Sequence, residues 1–249
     1  MDDAPDPTAH RLGIPSRGMA RIPTLGGLLA PAQLVPGLGA CRQAPLDALL
    51  CWGLKPSGRQ AAQLAHRRGL PLWRCEDGFL RSIGLGPESP PLSLVVDQEG
   101  IYYDARGPSR LETLIAQPLD PGPKGRAEAV RRLWCEQRVS KYNGAPESPP
   151  PREPYVLVVD QTAGDLSIRH GRADASSFEQ MLKAALADHP AATVVVKTHP
   201  DVVAGRKRGH FSKAQLAHPR VRICADGGHP CSLLEHASAV YVVTSQLGF

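Results

Sequence analysis

Short runs of apolar residues recur along this chain, each followed by a polar loop and then by a stretch with helical periodicity. Tyr155–Val159 is the clearest run: five consecutive β-favouring residues with no polar position, the pattern of a strand covered on both faces. Thr193–Lys197 and Val221–Cys224 predict a second and a third strand, and 239–243 predicts a fourth. Between these runs, 176–189 predicts a helix with Ser176 at its start and Phe178, Met181, Leu182, Ala185 and Leu186 on one stripe. A second helix is predicted over 231–237. The earlier half keeps the same rhythm. Positions 47–52 and 70–74 predict short strands, and 59–68 predicts a helix with Ala62, Leu64 and Ala65 on one face and Gly69 as its stop. Positions 92–97 and 100–104 predict a hairpin turning at Asp97-Gln98-Glu99-Gly100, and 109–116 and 126–142 predict helices. The stretch up to about Pro45 is rich in Gly and Pro, and its pattern assigns no element.

Strand, loop, helix, strand is the rhythm of an α/β fold with parallel strands. Half of the residues in 145–154 are proline, which marks a linker. The predicted organisation is a lobe over 1–144, a linker over 145–154 and a second lobe over 155–249. The last predicted strand runs into Thr244-Ser245-Gln246-Leu247-Gly248-Phe249 with no helix after it, so the second lobe is expected to be partial. Two such lobes predict a cleft between them, with ligands at the carboxyl ends of the strands.

Composition changes this picture little. The 249 residues are 42% hydrophobic, enough for a sizeable core. No run of about 18 apolar residues exists, so no membrane-spanning helix is expected. The acidic start Met1-Asp2-Asp3 is unlike a secretory signal, and a cytoplasmic location is the default expectation. The net charge of +5 is too mild to argue for nucleic acid, and it suits an anionic small molecule or an anionic membrane surface. The six cysteines form no C-x-x-C pair, so reduced thiols are expected and no metal site.

The polar residues that follow strands carry the candidate chemistry. Asp160 ends the most apolar strand, where a carboxylate can serve as a nucleophile, a base or a structural cap. Asp165, in the same loop, can orient a substrate hydroxyl or cap the turn. Glu76 and Asp77 adjoin at a strand end of the first lobe, and glycosyl transfer with retention needs two carboxyl groups, a nucleophile and an acid/base. Lys197, His199 and Pro200 follow another strand, where imidazole and ammonium groups can meet a phosphate or carboxylate. Thr244 and Ser245 follow the last strand and can cradle a phosphate. Arg81 can hold a carboxylate bidentately or form a structural ion pair. Lys55 lies in the strand-end string Trp52-Gly53-Leu54-Lys55-Pro56-Ser57. No Walker A string and no H-E-x-x-H occur, Gly84-Leu85-Gly86 lacks the third glycine of a dinucleotide loop, and Asp104-Ala105-Arg106 is not a metal-binding D-x-D.

The strings WGLKPS, EDGFLRSIGLG, PPLSLVVDQEGIYYDARGPSRLE, VLVVDQTAGDLSIRHG, VVKTHPDV and VVTSQLGF, in this order, resemble the KpsC-type capsule polysaccharide β-Kdo transferases. The resemblance runs from about Gly13 to the last residue. It implies a GT-B-like α/β fold of two Rossmann-like lobes. It also implies transfer of 3-deoxy-D-manno-octulosonic acid (Kdo) from CMP-β-Kdo, with retention, to a Kdo glycolipid built on phosphatidylglycerol. The work would be done at the cytoplasmic face of the inner membrane, beside a capsule biosynthesis and export complex, with no cofactor and no metal. By the same resemblance Asp160 is the nucleophile and Glu76 the acid/base, with Asp77 as its rival. Lys197 and His199 would bind the CMP phosphate or the Kdo carboxylate, and Ser245 would help hold the CMP. Members of this family commonly carry two such modules, of which one, incomplete, is expected here.

Overall fold

A computed structural model of the chain describes residues 10–84, 89–140, 147, 149, 151–225 and 229–248. It contains two compact units, Met1–Arg131 and Arg132–Phe249, and the division falls inside the helix Pro121–Glu136. Most of the Pro-rich segment, Leu85 and Gly86 of the glycine string, and Phe249 of the last motif lie outside the described residues.

The first unit is built from β1 (Arg11–Ile14), α1 (Arg17–Ala20), α2 (Leu25–Leu28), β2 (Gln33–Pro36), α3 (Leu38–Gln43), β3 (Ala48–Trp52), α4 (Gly58–Arg68), β4 (Leu72–Asp77), β5 (Leu94–Asp97), α5 (Arg110–Ala116) and α6 (Pro121–Glu136). Its sheet has the order β2-β1-β3-β4-β5, parallel except for β5. Every residue of β3 is buried. Leu50 and Trp52 face one layer with Leu12 and Ile14, and Leu49 faces the other with Cys41 and Leu64. Two-sided cover explains why this strand reads as an unbroken apolar run. α4 turns Ala61, Leu64 and Ala65 inward, with Ala61 in place of the expected Ala62, and ends as its pattern predicts at Gly69, in the left-handed region.

The second unit follows the same plan: β6 (Tyr155–Val159), α7 (Leu166–His170), α8 (Ala175–Asp188), β7 (Thr193–Lys197), α9 (Pro200–Val203), α10 (Lys213–Leu216), β8 (Val221–Cys224), α11 (Pro230–Leu234) and β9 (Val240–Tyr241), then a 3-10 turn at Gln246–Gly248. The sheet order is β8-β7-β6-β9, all parallel. Val156 and Val158 pack with Phe178, Met181 and Val194 on one face, and Tyr155, Leu157 and Val159 pack with Val195 and Leu233 on the other. Burying one such side chain is worth about 1.5–3 kcal/mol, so β6 and β7 anchor the unit. Parallel pairing in register, Val159 beside Lys197, brings the ends of β6 and β7 level. That level edge is what places the residues after them side by side.

The structure corrects four details. The Gly- and Pro-rich start forms β1 and β2, four-residue strands too short to show a period, and β1 pairs with both β2 and β3. The predicted hairpin is absent: β5 pairs with β4 instead, and 101–104 is turn. The cause is Asp97, whose buried carboxylate accepts the backbone N–H groups of Glu99, Gly100 and Arg110 and folds the chain away from a second strand. β4 extends through Glu76 and Asp77, which therefore sit on a strand rather than in a loop, with opposite side-chain directions. α8 is capped by Asp174, in a reciprocal box with Ser177, and not by Ser176.

The six cysteines are free thiols; Cys41, Cys51 and Cys75 are buried, and burial pushes the Cys51 thiol up to about 11. Among the described residues no helix is long and apolar enough to cross a membrane.

Candidate active site

β6 delivers Asp160 to the carboxyl edge of the second sheet, where its backbone N–H donates to the Lys197 carbonyl at 3.0 Å. The Asp160 side chain is only 5% exposed. Its Oδ1 accepts the backbone N–H of Gln161 at 2.9 Å and that of His210 at 3.1 Å. Burial raises its pKa above the ordinary value of 3.8, while the two amides and the His210 imidazole pull the other way. His210 comes from the loop after α9. Its ring stacks on Phe178 with centroids 3.8 Å apart and planes within 4°. Nδ1 lies 2.9 Å from the Gln161 carbonyl oxygen, which can only accept, so Nδ1 carries the hydrogen. The preceding Gly209 is obligatory by space: a Cβ there would lie 2.1 Å from Asp160 Oδ2.

The neighbouring residues form a second layer of fixed contacts. Gln161 is buried, and its amide donates to Thr244 Oγ1 at 2.9 Å and accepts the Thr244 backbone N–H at 3.0 Å. Thr244 Oγ1 also meets Ser167 Oγ at 2.9 Å. The end of β6, the end of β9 and the start of α7 are thereby tied together. Lys197 is buried at the end of β7. His199 caps α9, its Nδ1 accepting the Asp201 N–H at 3.1 Å, with Pro200 in the first helical position. Asp165 caps α7 by accepting the Ser167 N–H at 2.9 Å, so of its two readings the cap is the one observed. Ser245 Oγ accepts the Leu247 N–H at 3.3 Å. Asp160, Asp165, Lys197, His199, Pro200 and Ser245 thus all end or follow strands of one sheet.

In the first unit Glu76 and Asp77 part company. Glu76 Oε1 accepts the Trp52 indole N–H at 2.7 Å and the Asp77 backbone N–H at 3.2 Å. Its Oε2 is 3.4 Å from the Tyr103 hydroxyl, which itself accepts the Leu54 N–H at 3.0 Å. Burial raises the Glu76 pKa, against the pull of these donors and of Lys55, whose ammonium stands 5.6 Å from the Trp52 ring centroid. Gly53, at φ +45°, makes room: a Cβ would lie 2.6 Å from Glu76 Oε2 and 2.2 Å from the Tyr103 hydroxyl. Asp77 instead pairs with Arg81 at 2.9 Å, and Arg81 also donates to the Ser89 carbonyl and to Ser82 Oγ. Arg81 is thus in the structural ion pair that was one of its two readings.

Sequence reasoning missed Gly209, His210 and Gln161 as neighbours of Asp160, Thr244 as the partner of Gln161, and Tyr103 as a partner of Glu76. A glycine before a histidine inside Arg206-Lys207-Arg208-Gly209-His210 was the available signal, masked by the basic run around it.

Known proteins resemble this chain in sequence and fold. The family model described as "Capsule polysaccharide biosynthesis protein" matches residues 47–138 and 126–249. The chain is 42% identical over 247 residues to the capsule polysaccharide modification protein LipA of Neisseria meningitidis serogroup B, covering 95% of this chain and 34% of that protein. It is 37% identical over 221 residues to the lipopolysaccharide-processing protein LpsZ of Rhizobium meliloti, covering 84% of this chain and 49% of that one. The chain therefore spans less than half the length of these curated relatives. Among solved structures it matches the Thermosulfurimonas dismutans KpsC beta Kdo 2,4 transferase with a TM-score of 0.85 and 39% identity, over 96% of this chain and 75% of that chain. The beta Kdo 2,7 transferase of the same KpsC matches with a TM-score of 0.62 and 26% identity, over 97% of this chain and 75% of that chain. Two Rossmann-like units on mainly parallel sheets agree with the GT-B-like class that the resemblance implied. A family model that takes in the strand ends bearing both Glu76 and Asp160, together with relatives matched over nearly the whole chain, shows that the chain belongs to the capsule polysaccharide biosynthesis protein family.

Proposed function

We propose that this chain is a retaining glycosyltransferase module that moves a β-Kdo residue from CMP-β-Kdo to a Kdo-bearing glycolipid acceptor built on phosphatidylglycerol. The observation that carries the reading is Asp160: a carboxylate buried at a strand end, held by two backbone N–H groups and fronted by a glycine. The likeness to the KpsC transferases supplies the sugar. The higher identity to the 2,4 than to the 2,7 transferase supports a 2→4 linkage.

In the first step an Asp160 oxygen bonds to the anomeric carbon of Kdo. The bond from that carbon to the phosphate oxygen breaks, and its electron pair leaves with CMP. Lys197, with His199 beside it, supplies the cationic and hydrogen-bonding groups at this edge for the phosphate or the sugar carboxylate. Ser245 lies on the CMP side. In the second step an acceptor hydroxyl attacks the same carbon. Its proton passes to Glu76, and the Asp160 carboxylate is released unchanged. Glu76 is preferred over Asp77 because Arg81 already holds Asp77, whereas Glu76 lies against Trp52, Tyr103 and Lys55. Two inversions give net retention. The scheme calls on two carboxyl groups and an anionic leaving group, and on no cofactor.

A place at the cytoplasmic face of the inner membrane, beside the capsule biosynthesis and export machinery, follows from the lipid nature of this acceptor. The test is a donor screen with the full-length enzyme and a Kdo-terminated glycolipid. Turnover of CMP-Kdo with a β-linked product is expected. Turnover of CMP-sialic acid or of a CDP-polyol donor in its place would overturn the reading, and binding of glycolipid with no turnover would mark a binding module.

A further inference from the structure

We propose that Gly209 and His210 form a clip that fixes the Asp160 carboxylate so that Oδ2 is the attacking oxygen. This rests on Asp160 being the nucleophile. The two oxygens are not equivalent. Oδ1 accepts two backbone N–H groups, from Gln161 at 2.9 Å and His210 at 3.1 Å. Among the described residues Oδ2 receives only the long arm of the His210 amide, at 3.4 Å. Hydrogen bonds withdraw electron density from the oxygen that accepts them, so Oδ2 keeps the more available lone pairs. Oδ2 is also the oxygen faced by the missing Cβ of Gly209, 2.1 Å away, against 3.1 Å for the carboxylate carbon. A side-chain-free position in the loop therefore fronts the less occupied oxygen.

The clip is itself rigidly held. The His210 ring lies flat on Phe178, a residue with no exposure, and donates from Nδ1 to the Gln161 carbonyl. One residue before Gly209, the Arg208 carbonyl accepts the Ala163 N–H at 2.8 Å. The loop is thus bonded to the Asp160–Ala163 segment on both sides of Gly209, fifty residues away in sequence. A pre-set carboxylate needs no reorganisation at the moment of attack, and misplacement by about 1 Å costs about 100-fold in rate. Neither residue is assigned contact with the donor; both are positioning residues.

The titratable groups on the elements around this carboxylate include Asp165 at the start of α7, Lys197 at the end of β7, His199 and Asp201 at the start of α9, and Arg206, Lys207, Arg208 and His210 in the loop, where Arg206 and Lys207 pair with Asp201. His210 Nδ1 is 3.4 Å from Oδ1.

Three variants of the full-length enzyme test the clip, with CMP-Kdo as donor. Gly209→Ala is expected to lower kcat about 100-fold while CMP affinity stays within about threefold. His210→Phe keeps the backbone donor and the stack on Phe178 but loses the bond to Gln161. It is expected to lower kcat about 10-fold, leave the donor KM unchanged and move the acid limb of the kcat–pH profile to higher pH. A merely structural loss would lower the melting temperature without moving that limb. Wild-type kcat in Gly209→Ala, or an unmoved limb in His210→Phe, overturns the clip. Asp160→Ala in parallel separates the two ideas: an active Asp160→Ala removes the nucleophile, whereas an inactive Asp160→Ala beside an active Gly209→Ala removes the clip alone.

Discussion

Glu76 takes the indole N–H of Trp52 at 2.7 Å, from the end of the neighbouring parallel strand. The bond favours the ionised carboxylate and so opposes the burial that raises the Glu76 pKa. A general base must be ionised to take the acceptor proton. Trp52→Phe removes the donor and keeps the ring. We expect the acid limb of the transfer rate to move to higher pH, with a larger loss of kcat in acid than in alkaline solution. Equal losses across the pH range would show that Trp52 acts only through packing.

Asp160 stores instability. Its folded pKa lies above the ordinary 3.8, so in the window between the two values the folded protein holds a proton that the unfolded chain has lost. The stabilisation from that proton is complete below the ordinary value and is lost as pH rises through the folded one. At neutral pH the buried charge is a cost. Asp160→Asn removes it, and an amide oxygen can still accept the Gln161 and His210 N–H groups. We expect a melting temperature about 2 °C higher at neutral pH, no gain in acid below the ordinary carboxylate range, and loss of transfer.

Gln161 links two strand ends through Thr244. Gln161→Ala strips the half-buried Thr244 N–H of its partner and leaves the Thr244 hydroxyl its contact with Ser167. The expected cost is about 1–3 kcal/mol in urea unfolding, with a weaker CMP affinity because the Thr244-Ser245 segment loses its anchor.

Asp174 supplies a contrast away from the site. It caps α8 through Ser176 and Ser177, and Asp174→Ala is expected to lower the melting temperature slightly while kcat per folded molecule stays unchanged.

Much of this was legible from the chain alone, for physical reasons. β3, β6 and the Val194–Val196 stretch of β7 are covered on both faces, so they read as unbroken apolar runs and mark themselves. α4 and α8 carry whole inward stripes. β1 and β2 were hidden because four residues among glycines and prolines show no period. Asp160 and Glu76 were found because they follow or end apolar runs. Their partners were not, because His210 meets Asp160 across fifty positions and Tyr103 meets Glu76 across twenty-seven, distances that only the folded sheet closes. The same folding separated Glu76 from Asp77. Strand alternation sends one toward Trp52 and the other toward Arg81.

Trapping the covalent intermediate tests the central claim most directly. Full-length enzyme would be incubated with CMP-Kdo in the absence of acceptor, quenched, and examined by intact-mass and peptide-mapping mass spectrometry. We predict one added Kdo residue on the peptide that contains Asp160, absent from Asp160→Asn and discharged by acceptor. An adduct on Glu76, or steady transfer to acceptor with no adduct at Asp160 under any condition of quenching, would contradict the account.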